Sequence, residues 1–259
     1  MTIRFADSHC HLDITLLSDA QGIVWIRDMA CLSVSWSYSG KIRTTDDLRT
    51  YFSKQRQAIS LLNDNGLRCY YLCGIHPRDI PGDLSAEMVQ ELLKPCIDDP
   101  LCLGIGEIGL ETGSNREKEI LAAHLDMAGE VVGRNKVFGL HTPRRDKARI
   151  TSELLEMLDK YLIYREHIVV DHCTVDTIAT VLEKGLWAGI TMNPEKCRPA
   201  DLVSIVEHHK GSTDRIMLNT DSSTKMYRDL HELSGNKAID ETVRLRLIRQ
   251  NALRFYHLE

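Results

Sequence analysis

The sequence predicts an α/β protein with a (β/α)8 TIM barrel, and three observations support this fold class. Short β-rich apolar segments alternate with longer charged segments of helical periodicity, which is the pattern of βα units around a parallel sheet. Eight such apolar segments occur within 259 residues, as this barrel requires. The first of them is followed by "HCHLD", whereas an open, doubly wound sheet carries a glycine-rich phosphate turn there.

The eight predicted strands follow one another along the chain. In order they are "IRFADS" near Ile3, "MACLSVS" near Met29, "RCYYLCGI" from Arg68, "LCLGIGE" from Leu101, "KVFGLH" from Lys136, "HIVVDH" from His167, "LWAGITM" from Leu186 and "RIMLNTD" from Arg215.

Amphipathic segments between these strands predict the helices. In the segment 46–65, Leu48, Phe52 and Leu62 lie near one face, and Gly66 suits a C-cap. The predicted helices cover residues 46–65, 85–93, 116–132, 151–162, 175–184, 201–209 and 240–256.

The composition is that of an ordinary globular protein, with 43% hydrophobic and 27% charged residues, which excludes a disordered chain. No linker or internal repeat divides it, so we expect a single domain over residues 1–259. The N-terminus lacks a secretory pattern, and no window approaches the roughly 18 apolar residues of a membrane span. We therefore expect a cytoplasmic protein that does not contact membranes.

Charge and cysteine content narrow the function classes further. A net charge of −5 disfavours a broad nucleic-acid-binding surface but leaves room for a small phosphate site. The eight cysteines form no CxxC pair, so we expect reduced thiols without disulfides or a structural zinc knuckle.

Polar residues stand where six of the eight predicted strands end, and in this barrel the carboxyl ends of the strands carry the chemistry. Along a strand, side chains alternate between faces, so His9 and His11 point the same way and Cys10 points the other way. The same argument turns Asp171 away from the barrel mouth. The strand-end residues are His9, His11, His76, Glu107, His141, His172 and Asp221, whereas we expect a structural or solvated role for the histidines at 124, 167, 208, 209, 231 and 257.

Four of these imidazoles and two carboxylates form a predicted metal site. Nitrogen and oxygen donors of this kind suit Zn²⁺, Mn²⁺, Fe²⁺ or Ni²⁺ better than Ca²⁺. Six donors exceed the need of one tetrahedral ion, so we expect two divalent ions with a bridging carboxylate, without distinguishing Zn, Mn, Mg, Fe and Ni. Two ions about 3.5–4 Å apart lower the pKa of a shared water, and Asp221 is placed to ligate one ion and accept the proton. The predicted ligands are His9, His11, Glu107, His141, His172 and Asp221.

From about Ile3 to about Asp221, the chain resembles the TatD family of metal-dependent hydrolases (TatD-like DNases), a branch of the amidohydrolase-like barrels. The resemblance rests on "DSHCHLD", "GIHP", "GEIGLE", "LHTPRR", "DHC" and "NTDSS", in the family's order and spacing. It implies hydrolysis, most often of phosphodiester bonds in DNA. The resemblance implies that His9, His11 and Glu107 bind a first metal and that Glu107 bridges it to a second metal on His141 and His172. It implies that Asp221 is the catalytic residue. His76 would lie near the substrate's phosphate or leaving group.

Several positions depart from the family pattern. Glu111 stands where aspartate is usual, Asn219 replaces a glutamate, and Ser222-Ser223 replaces a small residue and proline. The fifth-strand motif reads "HTPRR" instead of His-Ser-Arg. Because groups around metal ligands orient them and select the substrate, these changes bear on the DNase activity more than on metal binding. They indicate a side branch of the family.

The sequence thus predicts a hydrolase whose metal-activated water attacks a phosphoester, with a phosphate-containing small molecule or a nucleic-acid end as substrate. Arg144 and Arg145 suit phosphate recognition, although a solvated helix start explains them equally well. One alternative is hydrolysis of an amide, lactone or ring C–N bond on the same barrel, and Glu107 argues against it because such relatives often bridge their metals with a modified lysine there. The other is a non-catalytic metal-binding pathway protein. The oligomeric state is not predicted.

Overall fold

The structure is a computed structural model that describes residues 3–18, 20–36, 42–222 and 228–258. Ser223 of the "NTDSS" motif lies outside these ranges. Eight parallel strands pair in chain order, which confirms the predicted TIM barrel. The strands are β1 Phe5–Cys10, β2 Met29–Ser33, β3 Arg68–Leu72, β4 Cys102–Gly109, β5 Val137–His141, β6 Ile168–Val170, β7 Trp187–Thr191 and β8 Ile216–Asn219.

The first and last strands meet at their carboxyl ends, where the barrel closes. The backbone N–H of Asp221 donates to the carbonyl of His9 at 2.9 Å, and the N–H of His11 donates to the carbonyl of Ser222 at 2.8 Å. Cys10 and Ser222 form a parallel bridge there. Closure therefore brings the first and last polar motifs of the chain side by side.

Helices cover the outside of the barrel. The α-helices are α1 Leu12–Ser18, α2 Thr45–Asp64, α3 Ala86–Ile97, α4 Asn115–Leu125, α5 Ala128–Gly133, α6 Lys147–Leu158, α7 Ile178–Glu183, α8 Pro199–His208, α9 Arg228–Leu233, α10 Glu241–Leu245 and α11 Asn251–Phe255. A π-helical segment, Arg246–Gln250, joins the last two, and 3-10 segments cover Ala20–Ile26, Pro77–Asp79, Asp159–His167 and Lys210–Arg215. Within the described residues, no helix is both long enough and apolar enough to cross a membrane.

The predicted helices occur with shifted boundaries. α2 begins at a capping box, in which Thr44 accepts a hydrogen bond from the Asp47 backbone and Asp47 accepts one from Thr44, an arrangement worth about 1 kcal/mol. The helix predicted over 116–132 is interrupted at Asp126 and Met127, giving α4 and α5. The helix predicted over 151–162 starts earlier, at Lys147.

Two apolar clusters hold the barrel, and their division follows the alternation of side chains along the strands. The larger cluster packs the outward-facing residues of the strands against the helices. The smaller one takes inward-facing residues, including Ala30, Leu32, Val169 and Met217, and is completed by Phe255 of the last helix. All eight cysteines are buried free thiols.

Candidate metal centre

The predicted ligands and His76 converge at the carboxyl end of the barrel. The potential ligand atoms form three groups, and within each group they lie no more than 4.8 Å apart. The groups are His9, Glu107 and His172; His9, His11 and Asp221; and His76, Glu107 and His141. His9 and Glu107 each belong to two of these groups, so the three groups form one continuous cluster.

Glu107 lies at the centre of the cluster, at the end of β4, and only 2% of its surface is exposed. Its Oε1 lies 2.6 Å from His141 Nδ1 and 3.2 Å from His172 Nε2. Its Oε2 lies 3.4 Å from His9 Nε2 and 3.7 Å from His76 Nε2. Burial raises the pKa of this carboxyl, but the surrounding imidazoles lower it further, and its pKa lies well below the usual range. A carboxylate with two imidazoles against each oxygen has the geometry of a bridging ligand.

Asp221 follows β8 and faces the opening pair of histidines. Its Oδ1 lies 3.1 Å from His11 Nε2 and 3.4 Å from His9 Nε2, while its Oδ2 accepts a hydrogen bond from Lys196 Nζ. The backbone of Asp221 is left-handed, with a φ of 51°. The carboxylate therefore contacts the histidine pair through one oxygen and a lysine through the other.

The prediction that Asp171 is turned away from the mouth is wrong. Asp171 continues the inward face of β6, its Oδ2 accepts a hydrogen bond from His9 Nδ1 at 3.0 Å, and it is 1% exposed. His172, the next residue, has a φ of 60°, and this left-handed turn directs its imidazole to the mouth as well. Simple alternation fails because the chain leaves the strand between these two residues.

Further buried groups hold Asp171 in place. Asn219 Nδ2 donates to Asp171 Oδ1 at 3.0 Å. A Cβ on Gly189 would lie 1.8 Å from that same oxygen, so only glycine leaves space for the carboxylate. On β1, buried Asp7 accepts hydrogen bonds from the backbone N–H and the hydroxyl of Thr220, which fixes the chain next to Asp221.

The donor set fits a bound cation. His9 Nε2 is buried and has no hydrogen-bond partner among the described residues, although it faces oxygens of Glu107 and Asp221. His9 Nδ1 donates to Asp171. His11 Nδ1 lies 3.3 Å from the carbonyl oxygen of Val34, which can only accept a hydrogen bond, so this ring also carries its proton on Nδ1. In the neutral rings both Nε2 lone pairs then face carboxylates, a repulsive arrangement that a metal ion between them relieves.

The charges of the cluster agree with this assignment. Burial lowers the pKa of the His9 imidazole, yet the carboxylates of Glu107 and Asp171 raise it well above its ordinary value. The buried negative charge therefore stabilises a positive charge at this point of the barrel.

Glu111, one of the departures from the family pattern, also contacts the cluster. Its Oε2 lies 2.9 Å from His141 Nε2, and its Oε1 accepts a hydrogen bond from Arg78 at 2.7 Å. Burial raises the pKa of Glu111, but the bonds from His141 and Arg78 prevail and bring it down to about 2. His141 is thus held between two glutamates.

An open cavity of about 380 Å³ lies above the cluster, within the size range of small-molecule sites. Its lining includes His76, Arg144 and two lysines, Lys147 and Lys196. Arg145 is exposed and is not part of this lining. Sequence reasoning missed Lys196. The available signal was the Asn-Pro turn of "TMNPEKC", which places this lysine just past the end of a strand.

A family model described as "TatD related DNase" matches residues 6–244. An uncharacterized metal-dependent hydrolase of Methanocaldococcus jannaschii is 24% identical over 200 residues, covering 74% of this chain and 76% of that protein.

Solved structures show the same fold. The TatD-like protein of Archaeoglobus fulgidus superposes with a TM-score of 0.74 at 24% identity, over 98% of this chain and 100% of that one. The TatD homolog YJJV of Escherichia coli K12 gives a TM-score of 0.67 at 16% identity, over the full length of both chains.

Proposed function

Because this chain belongs to the TatD-related DNase family of metal-dependent hydrolases, we propose that it hydrolyses a phosphoester bond with two divalent ions at the barrel mouth. His9, His11 and Asp221 would hold one ion, His141 and His172 would hold the other, and Glu107 would bridge them.

The observation that carries this proposal is the position of Glu107. Each of its carboxylate oxygens faces two imidazoles, at distances of 2.6 and 3.2 Å for Oε1 and 3.4 and 3.7 Å for Oε2. A single ion would leave one of these oxygens without a cation, whereas two ions would use both oxygens.

When bound, a pair of divalent ions lowers the pKa of water and stabilises negative charge on the oxygens of the substrate. The chain supplies the remaining functions. Asp221 lies at the mouth with 15% of its side chain exposed and is the group placed to accept the proton of the attacking water. Asp171 keeps the proton of His9 on Nδ1, so that Nε2 stays available as a ligand.

Cationic side chains around the cavity favour a phosphate over an uncharged amide or lactone. Arg78, Arg144, Lys147 and Lys196 all line it, and ammonium and guanidinium groups are the usual partners of phosphate oxygens. His76, at the same opening, is placed to contact the substrate. A substrate of family type, a DNA strand or another phosphodiester, falls within this class.

The test combines metal analysis with turnover. Purified protein would be analysed for bound metals and assayed on p-nitrophenyl phosphodiesters, p-nitrophenyl phosphate, oligonucleotides and carboxylic esters. The variants are Asp221→Asn and Glu107→Gln, with Asp176→Asn as the matched control, since Asp176 is an exposed carboxylate lining the same cavity.

We expect phosphoester turnover in the wild type and in Asp176→Asn, and its loss in Asp221→Asn. Glu107→Gln should also lose bound metal. Turnover that persists in Asp221→Asn, or that survives complete removal of metal by EDTA, would contradict the mechanism.

A further inference from the structure

The cations that line the cavity differ in how they are neutralised. Arg78 pairs with Glu111 at 2.7 Å, and Arg144 pairs with Glu195 at 3.3 Å. The two lysines differ: among the residues that the structure describes, Lys196 pairs only with Asp221, a proposed metal ligand, and Lys147 pairs with no carboxylate. This difference points to what the cavity binds.

A turn that the side chain of Asn193 stabilises directs Lys196 into the site. The side-chain Oδ1 of buried Asn193 accepts hydrogen bonds from the backbone N–H groups of Glu195 and Lys196, at 3.0 and 2.9 Å. The ammonium then reaches Asp221 Oδ2 and lies 3.3 Å from His172 Nδ1. Only 13% of this side chain is exposed, so the loop holds a largely desolvated cation beside the cluster.

Lys147 reaches the same cavity from the start of α6. Its ammonium donates to the hydroxyl of Thr142 at 2.8 Å and to the carbonyls of Thr142 and His172 at 3.3 and 2.9 Å. All three acceptors are neutral. In the part of the chain that the structure describes, no carboxylate oxygen lies within 4.0 Å of it. Burial lowers the pKa of Lys147 to about 8, and the nearby charge of Lys196 acts in the same direction.

A metal ion bound by Asp221 would share the negative charge that neutralises Lys196. Asp221 carries one negative charge, and this charge would be divided between Lys196 and an ion held by His9, His11 and Asp221. Lys196 and Lys147 would then be two partly buried ammonium groups lining one cavity, with no further carboxylate partner among the described residues. Two negative charges on a bound substrate would complete this wall.

We propose that Lys147 and Lys196 bind the doubly negative phosphate of a phosphomonoester, which makes a terminal phosphate the preferred substrate over an internal, singly charged phosphodiester. This inference rests on the proposed function, because it specifies which phosphoester the same site takes. It assigns specificity to two lysines and leaves the metal ligands unchanged.

The experiment compares two substrates with one leaving group, p-nitrophenyl phosphate and thymidine 5′-(p-nitrophenyl phosphate). At pH 7 the first is a dianion and the second a monoanion, and Lys147 is largely protonated. The variants are Lys196→Met, Lys147→Met and the charge-preserving Lys196→Arg. Lys94→Met is the control, since Lys94 is an exposed lysine of α3. Binding of inorganic phosphate to each metal-loaded protein is measured by calorimetry, together with metal content and thermal unfolding.

We expect the wild type to favour the monoester. Each lysine-to-methionine change should raise the KM of the monoester on the order of tenfold, raise the KM of the diester much less, and weaken phosphate binding in parallel with the loss on the monoester. Lys196→Arg should restore part of the preference. Lys196→Met suffices for the test if Lys147→Met does not fold.

Three results would overturn the inference: a wild type that prefers the diester, an equal loss on both substrates, or a loss of metal in Lys196→Met, which would assign Lys196 to holding Asp221. Failure of the proposed function looks different. Neither substrate would then turn over, and phosphate binding that depends on the two lysines would still support the subsite.

Discussion

Replacing Asp171 with asparagine separates the charge of this residue from its shape. The carboxylate is buried, and it accepts one hydrogen bond from His9 Nδ1 and one from Asn219 Nδ2, both at 3.0 Å. Asn219 Oδ1 has no partner among the described residues, so rotation of the Asn219 amide offers an acceptor to the new NH2 group. The variant should therefore fold, and the amide oxygen would face His9 Nδ1 as a neutral and weaker acceptor than the carboxylate in this hydrogen bond.

The size of the effect follows from that bond. A hydrogen bond to a charged group contributes about 1.5–3 kcal/mol, and loss of the group that orients a metal-binding histidine weakens metal affinity about 10- to 100-fold. We expect Asp171→Asn to lower the affinity for divalent metal within this range. The measurement is competition against a chromogenic chelator, with bound metal counted after dialysis.

Asp99→Asn is the matched control for this variant. Asp99 is a buried carboxylate near the opposite end of the barrel, and it accepts hydrogen bonds from Arg56, Tyr71 and the Leu101 backbone. Its replacement should lower the free energy of unfolding without changing metal affinity. Equal metal affinities in wild type and Asp171→Asn, or equal losses in the two variants, would refute the role of Asp171 in orienting His9.

Three further predictions follow from the same geometry. Gly189→Ala should lower metal affinity and cost about 1–3 kcal/mol of stability, because its Cβ would lie 1.8 Å from Asp171 Oδ1. Gly82→Ala has open space around the new Cβ and should change neither the metal affinity, measured by chelator competition, nor the stability, measured by denaturant unfolding. Removing metal with EDTA should lower Tm by roughly 5–10 °C in the wild type and much less in Asp221→Asn, and equal shifts in scanning fluorimetry would count against a metal at this site. Burial lowers the pKa of His124 to about 4, so below pH 6.5 the unfolded chain binds a proton that the folded chain does not. The His124 contribution to wild-type stability should therefore fall by about 3 kcal/mol as pH drops from 6.5 to 4, and His124→Gln, compared by urea unfolding at each pH, should lack this component.

The fold was predictable from sequence because eight strand segments and their helices carry strong local patterns. The helix boundaries were less predictable. The helix predicted over 116–132 is interrupted at Asp126 and Met127, where no proline or glycine indicates a break. The convergence of the six predicted ligands was also predictable, because the carboxyl ends of parallel strands meet at one face of a barrel. The roles of these residues as metal ligands stay predictions until metal is measured.

The groups behind the ligands could not be predicted in the same way. The contact between Asp171 and His9 joins positions 162 residues apart and depends on side-chain packing inside the barrel. Lys196 is a similar case, since the Asn193 turn that aims it has no periodic pattern and its partner Asp221 lies on another strand. Strand periodicity specifies which face a side chain takes only while the chain remains in the strand.

That limit explains why the error over Asp171 occurred at a functional position. Alternation from Val169 places Asp171 inside the barrel and would place His172 outside, yet both side chains lie at the mouth because His172 has a φ of 60°. Asp221, which follows the short strand β8, also has a left-handed backbone, with a φ of 51°. Left-handed backbone at a non-glycine residue costs on the order of 1–3 kcal/mol, so two such residues in one cluster need compensation. Here the compensation comes from hydrogen bonds: the Asp221 N–H donates to His9 O at 2.9 Å, and His172 Nδ1 lies 2.7 Å from Thr191 Oγ1. The strained turns let consecutive residues serve one site, with Asp171 orienting a ligand and His172 supplying one.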